Sequence, residues 1–377
     1  MNLYRKPNPM QKNMIDYLRI ALYATLIVLS FVLFQMWDKE HPRTITTNPQ
    51  VNTNTTVSNN YIPQVTDNST TAPTGTTAMP TVSQNQHLIH IKTDVIQADI
   101  NPVGGNIVRV SLLHYPQELN SPDVPFLLLN DKPETRYLAQ SGLLGTSGPD
   151  TPQGQAEYTV DQTDYELVAG ENDLKVNLHW HDATGLAVTK TFTFHRNNYE
   201  VNVDYQIDNK SDKAFSANPY QQLMRKNTPP ASTHGVVNFA TYFGAAISSP
   251  EKAYEKISFK QMDSSNLDKS IKGGWAAMIQ HYFASAWVPD QASTSQYFTR
   301  VTNDGMYTVG MLGQKVEVNP GQQATTHTKF YAGPAIASNL EQVVPGLRLT
   351  IDYGWLWFIS VIIFWMMEKI YTVIGNW

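Results

Sequence analysis

The stretch Leu174–Phe194, with the sequence LKVNLHWHDATGLAVTKTFTF, decides the fold class of this chain. Apolar residues alternate with polar ones on both sides of an Asp182–Gly185 turn, and this two-residue period is typical of a half-buried strand. Two such runs joined by a short turn predict an antiparallel hairpin. The alternating positions that we expect on its inward face are Leu174, Val176, Leu178, Trp180, Val188, Lys190, Phe192 and Phe194.

The same period appears in most of the chain from His87 onward. Alternating runs occur at Ile89–Ile100 and Val201–Ile207, and turns rich in Gly, Asn and Pro separate later runs at Asn303–Gly305 and Asn319–Gly321. No alternation of strands with long helices is visible, which disfavours a parallel α/β sheet. The expected fold is mainly β, a large antiparallel sandwich over residues 87–346.

Two later segments carry different patterns. Gly273–Pro289 fits either a helix or two strands joined by a turn, and its Gly-Gly entrance and aromatic second half favour the strands. The segment Pro334–Gly346 predicts an amphipathic helix that starts at the first proline and ends at Pro345. Its apolar face would contain Ile336, Leu340, Val343 and Val344.

The apolar run 20–37 predicts a transmembrane anchor. At 1.5 Å per residue it covers about 27 Å of a hydrocarbon core that is roughly 30 Å thick. A cleaved signal peptide is the alternative, but the run is longer than a usual signal-peptide core and no small-residue cleavage site follows it. We expect Leu26, Phe31 and Phe34 to contact lipid and Trp37 to lie at the interface.

Charge around this run predicts its orientation. Four basic residues precede the run, whereas the three charged residues directly after it include two acids. Basic residues remain on the cytoplasmic side of bacterial membranes. Residues 1–19 are therefore expected in the cytoplasm, and the main domain is expected in the periplasm of a bacterium, anchored in its inner membrane.

Residues 38–86 are expected to form a disordered periplasmic linker. From His41 to Gln86 the chain is rich in Thr, Asn, Gln, Ser and Pro, and its charged residues are Arg43 and Asp67. Such a composition does not bury enough surface to offset the entropy of ordering. The reach of this tether would be roughly 40 Å.

The C-terminal segment 347–377 is expected to lie on the outer surface of the membrane as an amphipathic helix. Its apolar run Trp355–Met367 is short for a span and ends at Glu368 and Lys369. Aromatic residues that prefer the interface are distributed along it, although a second spanning helix is the alternative. The expected membrane contacts are Trp355, Trp357, Phe358, Phe364 and Trp365.

Composition excludes several kinds of function. The net charge is -5 and only 16% of residues are charged, so no basic face for nucleic acid is expected. There are no cysteines, which removes disulfides and thiolate chemistry. We find no sequence motif of a nucleotide-binding, protease or hydrolase site, and we expect neither an enzyme nor a cofactor. The pairs His179/His181, His87/His90 and Glu118/Asp123 are more typical of solvated side chains than of a metal or catalytic site.

Several stretches resemble the YidC membrane protein insertases of Gram-negative bacteria. They are KTDVIQADIN at Lys92–Asn101, YPQELNSP at Tyr115–Pro122, AQSGLLG at Ala139–Gly145, GPDTP at Gly148–Pro152, GGWAAMIQHYFASAWVP at Gly273–Pro289, LTIDYGWLWFIS at Leu349–Ser360, and the terminal GNW. The resemblance implies a periplasmic β-supersandwich similar to galactose-mutarotase-like folds, followed by a surface helix and five core membrane helices. It also implies nascent integral membrane proteins, Sec translocon subunits and the lipid bilayer as partners. Because the sequence ends about where the first core helix would begin, we expect none of the family's groove residues here.

Two other functions fit the sequence less well. Mutarotase-like sandwiches hold sugars in a cleft, so a periplasmic carbohydrate-binding or sugar-modifying domain is the main alternative. The aromatic residues Trp180, Trp275, Tyr282 and Trp287 are candidates for cleft or partner contacts, although large aromatics are more often core. A purely structural envelope tether is the third hypothesis.

Overall fold

A computed structural model describes residues 22–23, 62–63, 87–118, 120–146, 148–228, 242–351 and 366. The chain divides into two units, Met1–Thr56 and Val57–Trp377, and the fold given below is that of the second unit. In the first unit, Leu22 and Tyr23 are helical and exposed. Among the residues described, no helix has both the length and the apolar character needed to cross a membrane. The predicted membrane contacts lie outside the described residues. They are Leu26, Phe31, Phe34, Trp37, Trp355, Trp357, Phe358, Phe364 and Trp365.

The hairpin predicted from Leu174–Phe194 is confirmed. Strands β8 (Asp173–His181) and β9 (Leu186–His195) pair antiparallel, with Trp180 opposite Val188 and Val176 opposite Phe192. The inward positions are mainly apolar and buried, as the two-residue period requires.

This hairpin belongs to a nine-stranded sheet. Its order is β13, β12, β15, β16, β20, β10, β9, β8, β6, and all its pairs are antiparallel. The other strands of this sheet are β6 (Thr159–Val160), β10 (Glu200–Asn209), β12 (Phe243–Ser248), β13 (Glu255–Ile257), β15 (Trp275–Gln280), β16 (Phe283–Pro289) and β20 (Gln323–Pro334).

The second sheet has eleven strands in the described part of the chain. They are β1 (Ile89–Lys92), β2 (Ile96–Asn101), β3 (Asn106–Glu118), β4 (Ser121–Leu129), β5 (Tyr137–Gly145), β7 (Asp164–Glu166), β11 (Phe215–Lys226), β14 (Asp268–Lys272), β17 (Thr294–Val301), β18 (Met306–Gly313) and β19 (Val316–Val318). Their order is β14, β17, β18, β11, β5, β3, β2, β1, β7, while β19 pairs with β11 and β4 with β3. The pair β1/β7 is parallel and the others are antiparallel.

The two sheets share one core. A single cluster of buried apolar side chains contains residues from both sheets, including Leu178 and Phe192 from the nine-stranded sheet and Leu143 and Leu223 from the other. Side chains also bond across the interface: the Trp287 indole donates to the carbonyl of Gln222 at 3.1 Å. The expected fold, a large antiparallel sandwich that is mainly β, is therefore confirmed.

The segment Gly273–Pro289 forms two strands, β15 and β16, as its Gly-Gly entrance suggested. They are joined by the two-residue turn His281–Tyr282, in which His281 has a φ of 51°. All seven residues of β16 are buried, so the absence of alternation reflects burial on both faces and not a helix.

Two short helices and a 3-10 turn complete the described fold: α1 (Phe259–Ser264), α2 (Ala337–Val343) and the 3-10 turn Leu347–Thr350. Helix α1 was not predicted, although the capping box formed by Ser258 and Gln261 is a readable helix start. Helix α2 lies within the predicted amphipathic helix, and its Leu340 and Val343 are buried. The predicted start is wrong, because Pro334 is the last residue of β20 and the helix begins at Ala337.

The prediction for one residue of that apolar face is wrong. Ile336 caps the start of α2 and is 43% exposed, because it precedes the first full helical turn and does not share the buried face. Val344, which lies just after the helix, is buried as expected.

Ile62 corrects the linker prediction at one position. It lies within the predicted linker 38–86, yet it is 8% exposed and packs against Leu144, Tyr220 and Leu312. A single apolar residue can bury itself against a preformed sheet even when its neighbours are polar. The remainder of the linker prediction stays a prediction.

We predict that Phe192→Ala in β9 lowers the free energy of unfolding by about 3–5 kcal/mol, because it removes a ring that is fully buried between the sheets. Lys175→Ala in β8 is the matched control, since this side chain is exposed and is expected to change stability by less than about 0.5 kcal/mol. Urea unfolding of the full chain in detergent, followed by tryptophan fluorescence, measures both. An equal decrease of the free energy of unfolding in the two variants would contradict the assignment of a buried and an exposed face to this hairpin.

Candidate functional site

An open cavity of about 620 Å³ lies against β3, β4 and the end of β11. This volume is in the range of small-molecule and peptide side-chain pockets. Among the described residues that form its wall, three are cationic, Arg109, Lys132 and Arg225, and none is an acid. Apolar residues of β4, among them Val124 and Leu127, form another part of the wall. The cavity therefore has a positive polar side and an apolar side.

Arg225 is the buried member of the three cations. It lies on β11 opposite Tyr137, and only 4% of it is exposed. Its guanidinium carbon is 4.3 Å from the ring centre of Tyr137 and 4.2 Å from that of Phe243, so an aromatic ring from each sheet covers the group. Nη2 donates to Gln280 Oε1 at 2.7 Å, and Nε and Nη1 have no hydrogen-bond partner among the described residues.

Burial lowers the pKa of Arg225 to about 10, which leaves the guanidinium charged at neutral pH. A buried charged donor without an acceptor is costly, and guanidinium groups bind carboxylates or phosphates through pairs of hydrogen bonds. Since the rings of Tyr137 and Phe243 pack against the guanidinium carbon, an acceptor would approach this group at its edge. The arrangement suits recognition of an anionic oxygen.

A second buried cation, Lys190, lies on β9 deeper in the sandwich. Its ammonium nitrogen donates to three carbonyl oxygens, at 3.0 Å to Gly104, 2.8 Å to Gly105 and 2.8 Å to Ser141. The two glycines have φ values of 75° and 58°, the left-handed region, and so turn their carbonyls toward the amine. All three donors of the ammonium group are thus used, and Lys190 connects the two sheets.

Asp150 is the carboxylate that accompanies Lys190. Its Oδ1 accepts from the Ala156 amide at 3.0 Å, and its Oδ2 accepts from the Tyr220 hydroxyl at 3.1 Å. Gln155 Nε2 donates to the same hydroxyl at 2.7 Å. A Cβ at Gly142 would overlap Asp150 Oδ2, so glycine is required there for the carboxylate to enter.

Burial shifts the pKa values of both groups toward neutral. Burial raises the pKa of Asp150 to about 6, opposed by the Ala156 amide and by the charge of Lys190. Burial lowers the pKa of Lys190 to about 7, opposed by the charge of Asp150. The two groups therefore support each other's charged forms inside the sandwich.

The structure places the four candidate aromatics in different environments. Trp275 and Trp287 are fully buried core residues of β15 and β16, so neither presents a ring to a ligand. Trp180 on β8 is half-buried against the core. Tyr282 is 68% exposed in the turn between β15 and β16. The prediction that these two tryptophans contact a ligand or partner is therefore wrong. A large ring that stabilises the core is buried and cannot be reached by a partner.

The histidine and acid pairs considered from the sequence lie at exposed positions. Among the described residues, no group of three or more metal-binding side chains is present. His179 and His181 share the exposed face of β8, as predicted, and the first contacts Thr189 Oγ1 at 3.2 Å. Glu118 and Asp123 lie on the paired strands β3 and β4, and both are exposed.

Sequence reasoning missed Arg225, Lys190 and Asp150. Lys190 had a readable signal, because it occupies an inward position in the alternating run of β9. Asp150 lies in the GPDTP stretch, and Ser141 and Gly142 lie in AQSGLLG. Arg225 follows the buried Leu223 and Met224 in β11, but no local pattern shows that Phe243 and Gln280 would surround it.

Comparison with known proteins identifies the family. The YidC periplasmic domain family matches residues 88–366. The membrane protein insertase YidC of Pseudomonas aeruginosa is 38% identical over 392 aligned residues, which cover 96% of this chain and 68% of the relative. The chain belongs to the YidC family of membrane protein insertases. The corresponding protein of Pseudomonas fluorescens is 37% identical, over 96% of this chain and 66% of its own length.

Membership of the YidC family gives the general setting of the chain. It is a bacterial inner-membrane protein with a periplasmic domain, and membrane proteins and the membrane itself are its implied partners. The expectations of an insertase and of a periplasmic β domain are confirmed.

Solved structures with a similar arrangement include sugar-epimerase-like proteins. A galactose mutarotase related enzyme from Lactobacillus acidophilus covers 65% of this chain and 97% of its own, with 11% identity and a TM-score of 0.43. A putative aldose 1-epimerase from Klebsiella pneumoniae covers 69% and 82%, with 8% identity and a TM-score of 0.45. At these values neither likeness transfers a ligand or an activity to the YidC domain.

Folding stability is predicted to be lowest between about pH 6 and pH 7 because of Asp150 and Lys190. The raised pKa of Asp150 penalises its buried carboxylate, so stability falls as the pH rises from about 4 to about 6. The lowered pKa of Lys190 penalises its buried ammonium, so stability recovers as the pH rises from about 7 toward 10. Melting temperatures of the full chain between pH 4 and pH 9 measure this dependence.

The double variant Lys190→Met/Asp150→Asn is the control, and its profile should lack this minimum. Asp150→Asn alone should cost about 3–5 kcal/mol, because it leaves the buried ammonium without its carboxylate. Identical pH profiles in the unchanged chain and the double variant would refute the role of this pair.

Proposed function

We propose that the β domain of this chain is a non-enzymatic docking domain, which binds Sec translocon subunits and client membrane proteins at the periplasmic face of the inner membrane. The observation that carries this proposal is the match to YidC insertases over 96% of the chain. The cavity at Arg225 supports binding over catalysis, because its charged groups are guanidinium and ammonium donors. A guanidinium with a pKa of about 10 is not a proton acceptor near neutral pH.

The proposed arrangement has the N-terminus in the cytoplasm and the segment 20–37 in the membrane. The linker 38–86 then connects the anchor to the domain, and the aromatic run Trp355–Met367 lies along the outer membrane surface. Lipid contacts are proposed for Leu26, Phe31, Phe34 and Trp37 in the anchor. This arrangement rests on the basic residues before the anchor and on the interfacial preference of tryptophan.

The carbohydrate alternative is weaker than the docking proposal. It relied on Trp180, Trp275 and Trp287 as stacking surfaces, and two of these rings are buried in the core. The cavity wall is cationic, whereas neutral sugars are usually held by aromatic rings and neutral hydrogen-bonding groups.

The orientation is tested by single cysteines in this cysteine-free chain. Ala183→Cys lies in the exposed turn between β8 and β9 and should react with a membrane-impermeant maleimide in intact spheroplasts. Asn13→Cys, on the proposed cytoplasmic side, should react only after lysis. The reverse pattern would show that the anchor has the opposite orientation.

Tyr282 is the residue that we expect to contact a translocon subunit, because it is 68% exposed and its carbonyl accepts from the amide of Ala335, the residue before the exposed Ile336. A photoreactive phenylalanine analogue at Tyr282 should crosslink to Sec translocon subunits in membranes. The matched control is Val168, which is also apolar and highly exposed but lies after β7. Equal crosslinking from both positions, or none from Tyr282, would contradict this contact.

A further inference from the structure

The three cations of the cavity come from separate parts of the fold. Arg109 lies on β3, Lys132 lies in the loop after β4, and Arg225 lies on β11. Arg109 has one acidic neighbour, Asp99, at 4.0 Å, and more than half of its side chain is exposed. The cavity therefore combines two exposed charges at its rim with one buried charge in its wall.

Arg225 has the features of a built anion site. The rings of Tyr137 and Phe243 fix the plane of its guanidinium, and Gln280 fixes one of its nitrogens. Its Nε and Nη1 atoms are buried donors that no acceptor in the described part of the chain contacts. A planar carboxylate can pair with this group along its Nη1–Nη2 edge or its Nε–Nη2 edge, in each case through one of these two nitrogens and the second N–H of Nη2.

The remaining wall fits an extended peptide. Val124 and Leu127 of β4 give apolar contacts, and Gln97 and Ser111 add an amide and a hydroxyl. Peptide backbones require such hydrogen-bonding groups at intervals, together with apolar pockets for alternate side chains.

We propose that this cavity binds a carboxylate on an extended acidic segment, of the kind found in the exported loops of membrane proteins. This inference rests on the proposed docking function. Lys and Arg are depleted in the short loops that cross the membrane, so Asp and Glu are left to determine the charge of those loops. A cationic cavity on the periplasmic side is complementary to such segments and would attract them in a salt-dependent manner.

The test uses the full chain in nanodiscs of zwitterionic phosphatidylcholine. The probe is a blocked, rhodamine-labelled peptide of Gly, Ser and Asp, and its comparison replaces each Asp by Asn. Fluorescence anisotropy should show that the acidic peptide binds at least about tenfold more tightly, with an affinity that falls as salt is added.

Arg109→Gln/Lys132→Gln is the main variant, because both side chains lie at the rim and their replacement leaves the core intact. It should weaken binding of the acidic peptide about fivefold or more. Lys175→Gln/Lys260→Gln removes the same charge from exposed positions elsewhere and should leave the affinity unchanged. Arg225→Lys keeps the positive charge but removes the planar pair of N–H donors of the guanidinium. It should weaken binding of the acidic peptide and leave the low affinity for the neutral peptide unchanged.

Three outcomes would overturn the proposal. Equal binding of the acidic and neutral peptides would exclude carboxylate recognition, and equal losses in the two double variants would show only general charge attraction. Competition by inorganic phosphate or glucuronate at concentrations equal to those of the acidic peptide would indicate a small-anion site and not a peptide site. The crosslinking of Tyr282 is independent of these measurements, so the docking function can survive the failure of this inference.

Discussion

The ammonium group of Lys190 is the interaction on which the centre of the sandwich depends. It lies on β9 of the nine-stranded sheet and binds three carbonyls of the eleven-stranded sheet, two from the Gly104–Gly105 turn and one from Ser141. A charge this deep is stable only when each donor is used and a counter-charge is near, and Asp150 supplies that counter-charge. The turn, β5 and the segment around Asp150 are thereby held in one arrangement.

Strand β11 connects this buried network to the cavity. Tyr220, near its middle, donates to Asp150, and Arg225, near its end, reaches the cavity wall. Strand β11 pairs with β5 from Ala217 to Arg225, so the register of this pairing determines the positions of both Tyr220 and Arg225.

The sequence predicted those elements that have a local sign, either a regular spacing of apolar residues or a turn residue at their ends. The hairpin of β8 and β9 and helix α2 have a periodic apolar pattern, and the strands β15 and β16 are marked by the Gly-Gly entrance and the Pro289 exit of their segment. The cavity has no such local sign, since Arg225 meets Phe243 and Gln280 only after two sheets have packed together. The same limit explains Trp275 and Trp287, because an aromatic side chain gives no sequence signal for whether its ring faces a core or a cleft.

Two cations are buried in the part of this domain that the structure describes, and their hydrogen bonding separates their roles. Lys190 has an acceptor for each of its three donors and a carboxylate nearby, so its charge is used fully within the fold. Arg225 is also buried and forms part of an open cavity, but it has one acceptor, two aromatic neighbours and two nitrogens without a partner among the described residues. A buried guanidinium with unpaired donors lowers the stability of the fold. A domain that only connected an anchor to a membrane surface would have no function for such a group. The unequal pairing of the two groups therefore favours structure as the role of Lys190 and ligand recognition as the role of Arg225.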